Sequence, residues 1–187
     1  MNPDRPLLVI VTGPPASGKT SIAGEIATLL GVPAFHKDDF KERLADGIPG
    51  RGLAWSRQLG RVAYGMLFYA GEVLIGSKVS CLLEANFHPE LGLPELQILA
   101  QGSIVAQIVC SGDPDVLLGR YLARHADGVR HAVHLDRDER RLKVLQADFR
   151  RDHRLDLPGL VLRCDTTAAE PVDVDQLVDR IREFVNS

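Results

Sequence analysis

The sequence predicts a three-layer α/β/α fold, in which helices cover both faces of a five-stranded parallel sheet. Five short apolar runs are mostly continuous rather than alternating, which is typical of strands buried on both faces. Helical patterns lie between these runs, and strands that alternate with helices form a parallel sheet through right-handed crossovers. At 187 residues, without internal repeats or linkers, the chain fits one domain over residues 1–187.

The individual elements follow from these patterns. The predicted strands are Leu7–Val11, Val32–Phe35, Val79–Leu83, Ile104–Cys110 and Leu160–Cys164. The predicted helices are Lys19–Leu30, Trp55–Ile75, Pro89–Gln101, Pro114–His125, Asp136–Arg150 and Val172–Val185. The segment 46–52 carries three glycines and a proline, so we expect irregular structure there. It is either a surface connector or a loop on the substrate side.

Composition and charge exclude several classes of protein. The net charge of −3 and the pI near 6.1 argue against binding of nucleic acid by bulk charge. No apolar run approaches the roughly 20 residues that span a bilayer. The apolar stretch near the N-terminus is too short for an export signal, so we expect a cytoplasmic protein. Cys81, Cys110 and Cys164 lie far apart in apolar surroundings, which predicts buried, reduced thiols.

The strongest functional signal is a segment that matches G-x-x-x-x-G-K-[ST], the P-loop. Its residues are Gly13, Pro14, Pro15, Ala16, Ser17, Gly18, Lys19 and Thr20. The glycines let backbone N–H groups surround a phosphate, and the N-terminus of the following helix adds partial positive charge. Lys19 supplies a full charge to the β- and γ-phosphates, and the Thr20 hydroxyl is suited to Mg²⁺. We therefore predict a P-loop NTPase fold with ATP and Mg²⁺ as cofactors.

An acidic pair, Asp38 and Asp39, follows the second predicted strand. It lies at the carboxyl edge of the sheet, where open α/β sheets bind ligands. A carboxylate there can take the proton from an attacking hydroxyl, so we predict Asp38 as a catalytic residue that contacts substrate. Asp is also favoured as a helix N-cap. Both roles are compatible if Asp39 caps a helix while Asp38 points into the cleft.

The P-loop together with Lys37–Lys41 resembles the kinase domain of polynucleotide kinases and the small kinases known as AAA-type predicted kinases. Chloramphenicol phosphotransferase and zeta-type toxins are similar at a greater distance. The resemblance implies that Asp38 is the general base. It also implies that Lys41 contacts the acceptor, in place of an arginine that binds an acceptor-side phosphate in polynucleotide kinases. Lysine offers a point charge without a planar fork, which argues against a nucleic-acid acceptor.

The resemblance continues through Leu82–Phe87, which is similar to the third strand of this group. It implies that Glu84 lies near the metal or its waters and that Asn86 lies near the acceptor. A charge at a strand end is the alternative explanation of Glu84.

The resemblance also implies a small helical lid over about 113–135. Arg120 and Arg124 are four residues apart on one helix face and would act in catalysis and cover the ATP phosphates. A solvated basic face is the alternative. In the stretch 130–136, Arg130 is predicted as a further cation toward the substrate, with His131 and His134 as lid or acceptor contacts.

Thr166 and Thr167 follow the last predicted strand. In related kinases the loop at this point packs against the adenine, which makes Thr166 a candidate nucleotide contact. A turn that caps the final helix is the other interpretation.

The sequence thus predicts an ATP-dependent kinase that transfers the γ-phosphoryl group to a hydroxyl of a small-molecule or nucleotide-type acceptor. A polynucleotide 5′-hydroxyl kinase is one alternative. A non-kinase regulatory module that binds or hydrolyses ATP is another. The oligomeric state, monomer or homodimer, stays open.

Overall fold

A five-stranded parallel sheet with strand order β2-β3-β1-β4-β5 forms the centre of the fold. The structure is a computed structural model and describes residues 5–126, 131–134, 139–168 and 170–187. Its strands are β1 (Leu7–Thr12), β2 (Ala34–His36), β3 (Cys81–Glu84), β4 (Ile104–Ser111) and β5 (Leu160–Asp165). All five predicted strands are confirmed. Each ends one residue later than predicted, on a polar residue that apolar patterning cannot detect.

Helices cover both faces of the sheet, as predicted. They are α1 (Lys19–Leu30), α2 (Lys37–Gly47), α3 (Gly52–Gly76), α4 (Pro89–Gln101), α5 (Pro114–Ala126), α6 (Glu139–Arg150) and α7 (Val174–Val185), with a 3₁₀ turn at Ala132–His134. Alternate residues of β1 pack against the helices on opposite faces of the sheet. Leu7, Val9 and Val11 pack with α1 and α7, whereas Leu8 and Ile10 pack with α3 and α4. In the described residues, no helix combines the length and the apolar character needed to cross a membrane.

The region between β2 and α3 differs from the sequence prediction. Helix α2 was not predicted, and it reaches Gly47, while α3 already begins at Gly52. Irregular structure is therefore confined to 48–51, where Pro49 follows the end of α2. The capping role considered for Asp39 is wrong. His36 occupies the N-cap of α2, and both aspartates lie in the first turn, where their charge suits the helix dipole.

The three cysteines are free and buried, as predicted, and each lies in a strand of the sheet. Burial raises the pKa of Cys81 to about 12. Cys110 and Cys164 face each other across β4 and β5. A hydrogen bond between their side chains raises the pKa of Cys110 and lowers that of Cys164. The Cys110 side chain packs beneath the loop that follows β1, which brings the core directly under the candidate site.

Candidate active site

The loop between β1 and α1 has the backbone of an anion cradle. Gly13, Ala16 and Gly18 all have positive φ, at 152°, 63° and 72°. Such a backbone allows the N–H groups of a loop to surround an anion. The N-terminus of α1 lacks a side-chain cap in the described residues, and the buried Ser17 Oγ has no described hydrogen-bond partner. Unpaired donors around a glycine-rich turn fit the phosphates of a nucleotide.

Replacing Gly13 with alanine should disrupt this loop. An added Cβ would lie 2.6 Å from the Cys110 carbonyl oxygen, at a φ that side chains rarely adopt. We expect the free energy of unfolding to fall by about 1–3 kcal/mol and ATP affinity to fall with it. Urea denaturation and calorimetric titration measure the two effects.

Gly18→Ala is the matched control, since its φ is also positive but a Cβ there meets nothing within 4 Å. It should lower stability by no more than about 1–2 kcal/mol. Equal losses in the two variants would show that the contact with Cys110 is unimportant.

The Glu84 carboxylate contacts three other side chains at the base of the site. Its Oε2 accepts hydrogen bonds from Thr20 Oγ1 at 3.2 Å and from His36 Nδ1 at 2.9 Å, and Lys19 Nζ lies 3.8 Å from its Oε1. The bond to Glu84 raises the pKa of His36. Within the described residues, no group of three His, Cys, Asp or Glu side chains could hold a metal. One carboxylate and one hydroxyl fit Mg²⁺, which takes few protein oxygens beside substrate phosphates.

A cavity of about 230 Å³ opens above this floor, between the P-loop and the helices α2 and α3. The structure brings the following predicted residues together around it: Pro15, Ala16, Lys19, Thr20, Asp38, Lys41, Glu84, Asn86 and Arg124. It also adds residues that the sequence did not single out for the site, among them Lys37, Ser56, Arg57 and Gly60. Donor-side and acceptor-side candidates therefore share one open space.

Asp38 lines the same cavity as the P-loop residues. Lys37 Nζ donates to its Oδ1 at 2.6 Å, and the side chain stays 41% exposed. His134 Nδ1 lies 4.0 Å from Oδ2. A carboxylate fixed by a neighbouring cation and still accessible from the cavity has the position that proton abstraction from a bound hydroxyl requires.

Contacts with α2 and α3 anchor the turn at 131–134. His131 Nε2 lies 3.1 Å from Asp46 Oδ1, and His134 Nε2 lies 2.7 Å from Glu42 Oε1. Ser56 Oγ donates to the Val133 carbonyl at 2.6 Å. The two histidines predicted as lid or acceptor contacts thus hold this turn against α2. Arg130 lies outside the described residues.

Asn86 is held by residues distant in sequence. Its Nδ2 donates to Asp148 Oδ2 at 2.6 Å, and its Oδ1 accepts from Arg151 Nη2 at 3.2 Å. Tyr64 Oη donates to its carbonyl at 2.5 Å. The sequence analysis missed Asp148 and Arg151. The available signal was Asp148 itself, an acid on the apolar stripe of α6 beside Leu145.

His153 completes this network as a neutral side chain. It is buried, its Nε2 donates to the Asp148 carbonyl at 2.9 Å, and its Nδ1 accepts from Arg151 Nη2 at 2.9 Å. Burial lowers the pKa of His153 to about 4, from an ordinary value of 6.5.

The protein should therefore lose stability in mild acid. The unfolded chain binds a proton at His153 below pH 6.5, whereas the folded chain resists it until about pH 4. This contribution is present above pH 6.5 and lost as the pH falls from 6.5 toward 4, by on the order of 1–3 kcal/mol. His153→Gln should flatten that part of the curve in urea denaturation at successive pH values. An unchanged slope would contradict this prediction.

The two predicted lid arginines occupy different places. Arg124 lines the cavity, whereas Arg120 Nη1 donates to the Thr166 carbonyl at 2.6 Å. Arg120 Nη2 also reaches the carbonyls of Thr167 and Ala168. Thr166 Oγ1 in turn donates to the Ser111 carbonyl at 2.9 Å. The alternative that Thr166 and Thr167 cap the final helix is wrong, because Asp173 caps α7 by accepting from Gln176 N–H.

Several known proteins are similar to this chain in sequence or in structure. No protein-family model matches the chain. A candidate kinase from Chloroflexus aurantiacus, known as a crystal structure, is 36% identical, with a TM-score of 0.87 over 96% of this chain and 98% of that one. APS kinase from Mycobacterium tuberculosis, solved with AMPPNP and APS, is 16% identical with a TM-score of 0.60 over 98% and 99% of the two chains, which shows a shared fold.

An uncharacterized protein of Mycobacterium tuberculosis is 28% identical over 166 residues. An uncharacterized protein of Mycobacterium bovis matches to the same extent. The match covers 81% of this chain but 32% of each relative, so the chain spans about a third of the length of the curated relatives it matches.

Proposed function

The chain belongs to the same P-loop kinase family as the candidate kinase from Chloroflexus aurantiacus, and from that premise we propose that it is an ATP-dependent phosphotransferase. It transfers the γ-phosphoryl group to a hydroxyl of a small-molecule or nucleotide-type acceptor. One observation carries the proposal. One cavity is lined both by Lys19 and Thr20 of the P-loop and by Asp38. The fold alone does not select an activity, but this pairing of donor loop and base supports transfer.

Each residue has a role in the proposed reaction. The P-loop amides and Lys19 bind the β- and γ-phosphates. Asp38 takes the proton from the acceptor hydroxyl. As it does so, the hydroxyl oxygen bonds to the γ-phosphorus, and the bond between that phosphorus and the bridging oxygen of ADP breaks. Arg124, which reaches the cavity, offsets charge on the transferred group. Asn86 and Lys41 contact the acceptor.

Thr20 and Glu84 are the residues that would hold Mg²⁺. When bound, the ion would neutralise part of the phosphate charge. On the nucleotide side, Arg120 and Thr166 steady the loop that follows β5 against the end of β4. We propose that this loop frames the base of ATP. Arg130 stays a prediction as a further cation toward the substrate.

The test is transfer of labelled phosphate from γ-labelled ATP to a panel of hydroxyl acceptors. The panel includes nucleosides, sugars, aminoglycosides, phenicols and oligonucleotides with a free 5′-hydroxyl. A labelled product other than inorganic phosphate, lost in Asp38→Asn, is the expected result. Label recovered only as inorganic phosphate with every acceptor would overturn the proposal and favour a hydrolysing module.

A further inference from the structure

Helix α3 carries a row of apolar side chains on its outer face. They are Val62, Met66, Tyr69 and Val73, here called the outer stripe, and they are 44%, 40%, 68% and 47% exposed. Their intervals of four, three and four residues place them along one side of the helix, a pattern typical of a helix that packs against another helix. Among the described residues, no other helix exposes more than two large apolar side chains. Scattered apolar residues on a surface are ordinary, but a row of four indicates a contact surface.

The outer stripe is separate from the surfaces that α3 uses within the chain. Leu67 and Ile75 pack into the core beneath the helix. Ser56, Gly60 and Tyr64 line the cavity, and no residue of the outer stripe does so. The structure therefore gives the stripe no packing role inside the described part of the chain.

Two opposite charges flank the outer stripe. Arg61 lies near its N-terminal end and Glu72 near its C-terminal end, and both side chains are exposed. They are eleven residues apart, which is close to three helical turns, so both lie on the same flank of the stripe. Neither makes an ion pair with a residue that the structure describes. The positions three and four residues away from each of them in α3 also carry no opposite charge.

This arrangement is complementary to its own reverse. In an antiparallel pair of α3 helices, a twofold axis would bring Arg61 beside Glu72 of the partner subunit at both ends of the contact. The same axis would oppose the valines at the two ends of the stripe and bring Met66 against Tyr69, a favourable pairing of a thioether with an aromatic ring. A parallel pair would instead place each charge beside its own copy, and like charges disfavour a contact.

We propose that the outer stripe is covered by a second copy of this chain, packed antiparallel through α3 in a symmetric dimer. The apolar side chains of the stripe supply the burial, and the two pairs of Arg61 with Glu72 fix the orientation. One pair of helices buries less surface than a standard interface, so the dimer is weak and depends on concentration. The dimer does not rest on the proposed function, because residues of a single chain line the whole cavity.

Sedimentation equilibrium of the wild-type chain tests the dimer directly. The mean mass should rise from that of one chain toward that of two between about 1 and 200 μM. Met66→Lys should weaken dimerisation at least about tenfold, because it brings two ammonium groups into an apolar contact near the twofold axis. A wild-type chain that stays monomeric at every concentration would overturn the inference.

Leu29→Lys is the matched control for Met66→Lys. Leu29 is 37% exposed, close to the 40% of Met66, but it lies on α1, which packs on the opposite face of the sheet. This variant should dimerise as the wild type does. Equal losses in the two variants would show that added charge in general, rather than contact through α3, opposes association, and would overturn the inference.

Exchange of the flanking charges tests the orientation without changing the stripe. Arg61→Glu and Glu72→Arg each place like charges together across an antiparallel pair, so each should weaken dimerisation at least about fivefold, and less in about 1 M NaCl. The double variant Arg61→Glu/Glu72→Arg forms the opposite pairs again and should recover the wild-type affinity within about twofold. Both side chains are exposed, so circular dichroism should show that these variants stay folded. Single variants that dimerise normally, or a double variant that does not recover, would overturn the antiparallel dimer.

Transfer assays separate this dimer from the proposed function. Met66→Lys should transfer phosphate at the wild-type rate per chain, because no residue of the outer stripe lines the cavity. A wild-type protein that dimerises but transfers phosphate to no acceptor would overturn the proposed function and support the dimer.

Discussion

Replacing Asp38 with asparagine is expected to lower phosphoryl transfer at least about 100-fold while ATP binding persists. The amide keeps the shape of the carboxylate and can still accept the hydrogen bond from Lys37, which is 2.6 Å long in the structure. It cannot take a proton from an acceptor hydroxyl. Single-turnover transfer with labelled ATP measures the chemical step, and titration with AMPPNP measures nucleotide affinity.

Asp39→Asn is the matched control for this variant. Asp39 lies next to Asp38 in the first turn of α2, but it is exposed and does not line the cavity. It should retain most of the transfer rate. If the two variants lost activity equally, the negative charge of the helix turn, rather than a base at Asp38, would explain the loss. If neither lost activity, the base would lie elsewhere.

Replacing Lys19 with methionine should reduce kcat/KM for ATP by about 10³-fold or more, because a cation is lost from the phosphates in the ground state and in the transition state. The fold should survive. In the described structure Lys19 Nζ makes only long contacts, 3.4 Å to the Pro14 carbonyl and 3.8 Å to Glu84. Denaturation midpoints should therefore change little, which separates a lost function from a lost structure.

Lys78→Met provides the charge control. Lys78 is exposed in the turn between α3 and β3, at the edge of the sheet opposite the P-loop. The same loss of charge there should leave kcat/KM within about threefold, since exposed charges farther apart than a Debye length are largely screened. A loss comparable to that of Lys19→Met would mean that the general field of the protein, not contact with phosphate, is at work.

Local patterns predicted the donor half of the site. Gly13 to Thr20 are contiguous, and the strand before them and the helix after them are apolar enough to be recognised. All five strands were also predicted, because each contains a short apolar run. Helix α2 escaped prediction because charged residues dominate it: Phe40 and Leu44 are its two large apolar residues, and its buried residue is Lys41. Contacts with α3 and with the turn at Ala132–His134, both later in the chain, hold it in place.

The acceptor half depends on pairings that no local pattern encodes. Asn86 and Asp148 are 62 positions apart, and Ser56 reaches the Val133 carbonyl across 77 positions. The spacing of Arg120 and Arg124 correctly placed them on one helix, but it could not show that one lines the cavity while the other binds loop carbonyls. Such divisions of role are set by tertiary packing.

The strand order gives the two halves of the site unequal resistance to change. The P-loop follows β1, the middle strand, which is hydrogen-bonded on both sides and buried throughout. Asp38 follows β2, an edge strand of three residues. Disrupting β1 would break hydrogen bonds on both of its sides and so open the whole sheet. Disrupting β2 and α2 would affect only the edge of the sheet. Under the proposed function, substitutions beside β2 should therefore cost less stability than substitutions beside β1, so the acceptor side tolerates change better than the donor side.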